Sequence, residues 1–122
     1  MSDDIKKKID VVFIAGGKFH DIDFARLEIL KLLAEDERMK TRVFEDYSNL
    51  HAIENADFLI TYTCDVRPTL EQQKALKKYV ASGKRWLALH GTNSILQFMS
   101  DGKVDSPRIA PIMMETLGSQ FI

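Results

Sequence analysis

Polar and apolar positions along this chain switch repeatedly between a strand-like and a helix-like period. Ile9-Asp10-Val11-Val12-Phe13-Ile14-Ala15 is an almost unbroken apolar run, closed by Gly16-Gly17. Such a run suits a strand buried on both faces of a parallel sheet. Phe24, Leu27, Leu30 and Leu33 then recur at helical spacing, with Asp21 or Asp23 placed to cap the helix. Thr41–Phe44 predicts a second, shorter strand nearer an edge, and Leu50–Asn55 a short helical turn. Asp57–Thr63 predicts a third strand, and Cys64–Pro68 a loop, because Pro68 biases Arg67 away from helix. Thr69 and Gln72 form a capping box. The helix they open carries Gln73, Leu76 and Val80 on its apolar side and Lys74, Lys77 and Lys78 on its wet side. Gly83 stands at its C′ position. Trp86–Leu89 predicts a fourth strand, buried like the first. Ser94–Met99 reads as a short helix and Asp101-Gly102-Lys103 as a turn. Ser106-Pro107 then reads as the opening of a last helix through Leu117.

Strands and helices that alternate with short connections imply an α/β fold with a parallel sheet and right-handed crossovers. No repeat or linker divides the chain, and its 122 residues fit one domain, 1–122. The chain closes on Leu117-Gly118-Ser119-Gln120-Phe121-Ile122, a glycine followed by apolar residues. Four strands are also few for a doubly wound sheet. The expectation is therefore a domain truncated after about four strands, in which Gln120-Phe121-Ile122 begins a further strand or loop.

Charge narrows the partners. The net charge of -1 gives no reason to expect nucleic acid or an anionic membrane. Lys6-Lys7-Lys8 sits beside Asp3 and Asp4 and reads as a solvated edge. No apolar run approaches the ~20 residues that span a membrane. Met1-Ser2-Asp3-Asp4 lacks the layout of a signal peptide. The single cysteine, Cys64, excludes an internal disulfide framework, so a reducing cytoplasm is the simplest setting.

Ligands of open α/β sheets bind outside the carboxyl ends of the strands, and the chemistry-bearing residues fall there. Gly16-Gly17-Lys18-Phe19-His20-Asp21 follows the first strand. Its glycines permit close backbone approach, and His20 can act as acid, base or metal ligand. The spacing matches neither Gly-x-Gly-x-x-Gly nor a P-loop. His90-Gly91-Thr92-Asn93 follows the fourth strand and carries the second histidine of interest. Read blandly, these two turns are a tight loop with an exposed histidine and a strand end with helix-capping Thr92 and Asn93. Thr61, Thr63 and Cys64 end the third strand, where Cys64 is either a nucleophile or inert filling. Asp46-Tyr47 follows the second strand, where an acid meets a sugar hydroxyl or only solvent. In the strand order 2-1-3-4 the first and fourth strands lie about 10 Å apart. Both histidines then reach one ligand lying across the edge. Joint ligation of a divalent metal such as zinc would need both loops to lean inward and a third ligand, with Asp21 the candidate.

Several segments, in order, resemble the trehalose-utilisation (ThuA-like) family. They are Gly16–Asp21, Leu70-Glu71-Gln72-Gln73, Tyr79-Val80-Ala81-Ser82-Gly83-Lys84, Trp86–Thr92 and Glu115-Thr116-Leu117-Gly118-Ser119-Gln120-Phe121. The resemblance implies a flavodoxin-like three-layer sandwich related to the class I glutamine amidotransferases. It also implies a role in sugar or disaccharide catabolism, with His20 and His90 at the family's recurrent histidines. Amidotransferases of that superfamily carry a nucleophilic cysteine on the turn that here reads His90-Gly91-Thr92, and Cys64 lies on another strand. Glutamine hydrolysis by a thiolate is therefore not expected. Family members continue beyond the point where this chain stops.

Two classes of function follow. In the first, an enzyme acts on a sugar, with His20 and His90 as catalytic or metal-binding groups. Gly16, Gly17, Asp21, Thr63, Gly91, Thr92 and Asn93 would then bind substrate. In the second, a noncatalytic carbohydrate-binding or sensing domain uses the same crevice. A truncated fragment that self-associates through its sheet edge into a homo-oligomer is the remaining alternative.

Overall fold

The computed structural model describes residues 7–121; Asp3, Asp4, Lys6 and the terminal Ile122 of the segments discussed above lie outside the described residues. Its centre is β1 (Ile9–Gly17), which pairs in parallel with β2 (Met39–Phe44) on one side and β3 (Phe58–Cys64) on the other. β4 (Arg85–Ala88) joins β3, also in parallel, so the sheet order is β2-β1-β3-β4. The α/β class and the parallel sheet expected from the pattern are thus present, in the strand order of a flavodoxin-like fold.

Alternate residues of β1 enter two separate cores. Val11, Phe13 and Ala15 pack with Ile60 beneath α1 (Ile22–Ala34). Val12 and Ile14 pack with Leu59 on the other face, beneath α2 (Leu50–Asn55), α3 (Leu70–Ala81) and α4 (Pro111–Leu117). The second core is the larger and takes in Ile53, Leu76, Tyr79, Ile95 and Met113. Among the described residues three layers result, with one helix on one side and three on the other.

Local chemistry explains most element boundaries. Asp21 caps α1 by accepting the Phe24 N–H at 3.0 Å. Asn49 caps α2 through the Ala52 N–H at 3.1 Å. Thr69 and Gln72 make both bonds of the capping box at α3.

The structure corrects five expectations. On α1, Phe24 and Leu27 are exposed, and Ile22, Ile29, Leu30 and Leu33 face the sheet. Positions repeated strictly every third residue drift about 60° per step around a helix, so that stripe leaves the core face. On α3, Tyr79 is buried and Val80 exposed, because the Tyr79 hydroxyl donates to the Ala56 carbonyl at 3.0 Å. β4 is an edge strand with Leu87 55% exposed, where the pattern predicts burial on both faces.

Ser94–Met99 is not helical. The Leu96 N–H donates to Asp65 Oδ1 at 3.0 Å and its carbonyl accepts from Arg67 Nη2 at 2.6 Å, so neither group is left for a helix. Gln97–Phe98 (β5) instead pairs antiparallel with Val104–Asp105 (β6) in a small hairpin. The last helix opens at Pro111 rather than Pro107. Its N-cap residue, Ala110, offers no side-chain acceptor. Gln73 supplies one from α3, where Oε1 accepts the N–H groups of Ile112 and Met113 at 3.1 and 3.3 Å. A buried glutamine on an apolar helix face thus satisfies the start of its neighbour.

Gln120 donates to the Pro107 carbonyl at 3.1 Å and the Phe121 N–H to Asn93 O at 3.1 Å, and neither residue lies in a strand. Among the described residues no helix is long and apolar enough to cross a membrane.

Replacing Gln73 by Ala strands two donors at the start of α4. The expected cost is about 1–3 kcal/mol, measured by urea denaturation. Amide exchange at Ile112 and Met113 should accelerate while α1 is unaffected.

Candidate functional site

The two histidine loops meet more closely than strand spacing alone implies. The His20 and His90 rings are stacked, with centroids 4.9 Å apart and planes 9° from parallel. Tyr62 flanks the pair, its ring 6.0 Å from that of His20. His20 is half-buried and His90 exposed. His20 Nε2 is buried with no hydrogen-bond partner.

Gly91 makes this contact geometrically accessible. It adopts φ +90, and a Cβ there would lie 2.1 Å from the Thr63 carbonyl oxygen and 3.4 Å from His20 Nε2. Only a residue without a side chain can let the β4 turn fold down over the end of β3. Phe19, at φ 68, turns the other loop before His20. Gly16 and Gly17 answer a similar demand inside the sheet, where a Cβ would meet Glu45 O at 2.2 Å and Cys64 O at 1.9 Å. These two glycines pack against the chain itself.

A line of hydrogen bonds holds the His90 turn. Trp86 Nε1 donates to Thr61 Oγ1 at 2.9 Å, and Thr92 Oγ1 donates to the Leu89 carbonyl at 2.8 Å. The two hydroxyls lie 2.8 Å apart. With the Thr92 proton committed to Leu89, the Thr61 hydroxyl donates to Thr92. Every polar hydrogen in this buried line then has an acceptor, as a low-dielectric site requires. Thr92 and Thr61 are thus tied into the support of the turn, and Thr63 beside them is 1% exposed.

An open cleft of about 300 Å³ runs beside the turn, lined by residues from Ala88 to Asn93 and by Leu117 and Ser119. Asn93 Nδ2 donates to Ser119 Oγ at 3.0 Å across it. The cleft lining thus carries one imidazole, one amide, the Thr92 and Ser119 hydroxyls and backbone groups.

Stacked rings direct their in-plane lone pairs along nearly parallel planes. They do not converge on one ion at the roughly 2.0–2.1 Å that zinc–nitrogen bonds require. Asp21 is occupied in capping α1. Among the described residues no group of three or more His, Cys, Asp or Glu could hold a metal ion. This arrangement does not fit a metal.

The remaining candidates separate from the pair. Cys64 is buried, and burial, seconded by the neighbouring Asp65 carboxylate, pushes its thiol up from the usual value. Both effects oppose a thiolate nucleophile. Asp46 accepts from the Ser48 hydroxyl at 2.6 Å and the Ser48 N–H at 2.9 Å, which lowers its carboxyl below the usual value. It thus orders the turn before α2.

Sequence reasoning named Tyr47 only alongside Asp46 and gave Asp65 no role. Tyr47 is 1% exposed, and its hydroxyl has no partner of good geometry. Burial pushes its phenol up to about 12, weakly opposed by the Thr63 and Thr61 hydroxyls. Asp65, with a side chain 7% exposed, meets Lys18 at 3.6 Å and Arg67 at 3.2 Å and accepts the Leu96 N–H. No sequence pattern marked it, because its partners come from three different loops.

Comparison of the chain with protein-family models, curated proteins and solved structures finds no match.

Gly91→Ala should destabilise the fold by about 1–3 kcal/mol and separate the two rings. Loss of nuclear Overhauser contacts between the imidazoles would register the separation. Tyr47→Phe removes an unpartnered buried hydroxyl and should stabilise by about 1 kcal/mol in urea denaturation at neutral pH. The folded state favours the neutral phenol. Its contribution is complete below the unfolded tyrosine value near 10 and is lost as pH rises through about 12. The variant should therefore lose less stability than the parent across that window.

Proposed function

We propose that the carboxyl edge of this sheet is a small-molecule site for a neutral sugar. On this reading the chain is a ThuA-like domain of cytoplasmic sugar or disaccharide catabolism. The observation that carries it is the contact between His20 and His90, brought together from non-adjacent strands at the edge where such folds bind ligands. The exposed His90 imidazole lines a polar cleft and is stacked on the half-buried His20, so one imidazole is at hand for a sugar hydroxyl. The resemblance of Gly16–Asp21 and Trp86–Thr92 to the trehalose-utilisation family supports the substrate class.

On this reading His90, which lines the cleft, meets the substrate, and His20 backs it. Asn93 and Ser119 orient hydroxyl groups. Thiol chemistry of the amidotransferase kind has no support, since Cys64 is buried away on β3.

A noncatalytic sugar-binding domain is the second reading. It is favoured by His20 Nε2, which has no carboxylate or carbonyl to orient it for proton transfer.

The test is turnover of trehalose and its keto derivatives, followed by reducing-sugar release, with calorimetry on the same samples. Positioned histidines contribute about 10²–10⁴-fold, so His90→Ala should lower turnover by at least the smaller factor. Binding without turnover selects the second reading. Neither binding nor turnover with any of these sugars overturns both.

A further inference from the structure

The segment between two buried anchors, Ile95 (1% exposed) and Ala110 (2% exposed), carries the β5–β6 hairpin. Between Gln97 and Asp105 every residue is exposed, including Phe98, Met99 and Val104. The hairpin segment touches the loops after β1 and β3, through Phe19 and Asp65, and the strand order reverses between those two strands. Doubly wound sheets bind their ligands at this switch point.

Contacts of two kinds hold it down. Asp65, at the end of β3, accepts the Leu96 N–H at 3.0 Å, and Arg67 donates to the Leu96 carbonyl at 2.6 Å. Asp65 also meets Lys18, from the β1 loop, and Arg67 itself. Beyond Leu96, the Phe98 ring packs edge-on against Phe19 with centroids 5.1 Å apart. The strands themselves are two residues each, too short to be stable alone.

We propose that Leu96–Asp105 is a flap beside the switch point, latched by Asp65 and by the Phe19–Phe98 contact, and that its opening uncovers the His20 loop to a ligand next to the open His90 cleft. An element with few buried contacts opens without unfolding the rest. Phe98 and Leu96 are the hairpin side of the latch; Phe19, Asp65 and Arg67 are the sheet side. Phe19 immediately precedes His20, so the uncovered loop is the one that carries the histidine. Opening is a property of the flap itself. Its role in ligand access to the His20 loop rests on the sugar-site reading above.

The first measurement is amide exchange in the parent, Asp65→Asn and Phe98→Ala. Asparagine tolerates the left-handed backbone that Asp65 adopts, at φ 57. Leu96 N–H and Met99 N–H (which donates to the Lys103 carbonyl) should exchange well before the amides of β1. Each variant should accelerate them by about tenfold with β1 unchanged. Exchange in step with β1, or no acceleration in either variant, overturns the flap. If Asp65→Asn does not fold, Phe98→Ala decides alone, since its side chain is largely solvent-facing.

The second measurement is the association rate of trehalose by stopped-flow Trp86 fluorescence. A faster rate in Phe98→Ala supports gating, and an unchanged rate overturns it. Absence of trehalose binding to every chain counts against the sugar reading and the gating role together. The exchange data then decide the flap by themselves.

Discussion

The structure depends on one constraint: β1 must be covered on both edges and both faces. Val11 to Ala15 are 0–2% exposed, and their N–H and C=O groups are taken up by β2 and β3. A strand so enclosed can be reached by its parallel neighbours only through crossovers that pass over the sheet faces. The helices follow from that need, with α1 on one face and α2 and α3 on the other. The same parallel arrangement gathers the loops after β1, β3 and β4 at one edge. The site is thus a consequence of how β1 is buried, before any functional side chain is considered.

Within that edge, close backbone approach does the positioning. Gly91 sits on the Thr63 carbonyl, which lowers the β4 turn onto β3 and carries His90 toward β1. The Trp86–Thr61–Thr92–Leu89 line then fixes the turn from below. Removing any donor from it would leave a buried acceptor or hydroxyl unmatched, a cost comparable to a lost hydrogen bond. The polar residues around His90 divide accordingly. Thr92 is tied into the support while also lining the cleft, and Asn93 and Ser119 line it from outside that buried line.

Much of the fold was legible because its signals are local. The apolar run of β1, the capping box at Thr69 and Gln72 and the glycine after α3 each act within a few residues. The errors fall where a distant partner overrides the local preference. Leu96 is drawn out of a helix by Asp65 and Arg67, about thirty positions away. Pro107 yields to Pro111 where Gln73, on another helix, provides one acceptor oxygen for two N–H groups. β4 looked central from its apolar run, but an apolar run records side chains and not how many strands lie beyond it. The candidate site was half legible. His20 and His90 were marked by position, yet their stacking required Gly91 to approach Thr63, which no spacing rule encodes.

The charges at this edge bear on what it can hold. Lys18 and Arg67 both face Asp65, and Arg67 is further committed to the Leu96 carbonyl. An anion bound at these two cations would have to draw them from a carboxylate only 7% exposed, leaving that carboxylate underpaired. A neutral polyhydroxyl ligand meets no such cost. It needs donors and acceptors, and His90, Asn93 and Ser119 supply them along one open cleft. The ion pairs that fasten the hairpin therefore leave Lys18 and Arg67 engaged with Asp65, which accords with the uncharged ligand proposed above.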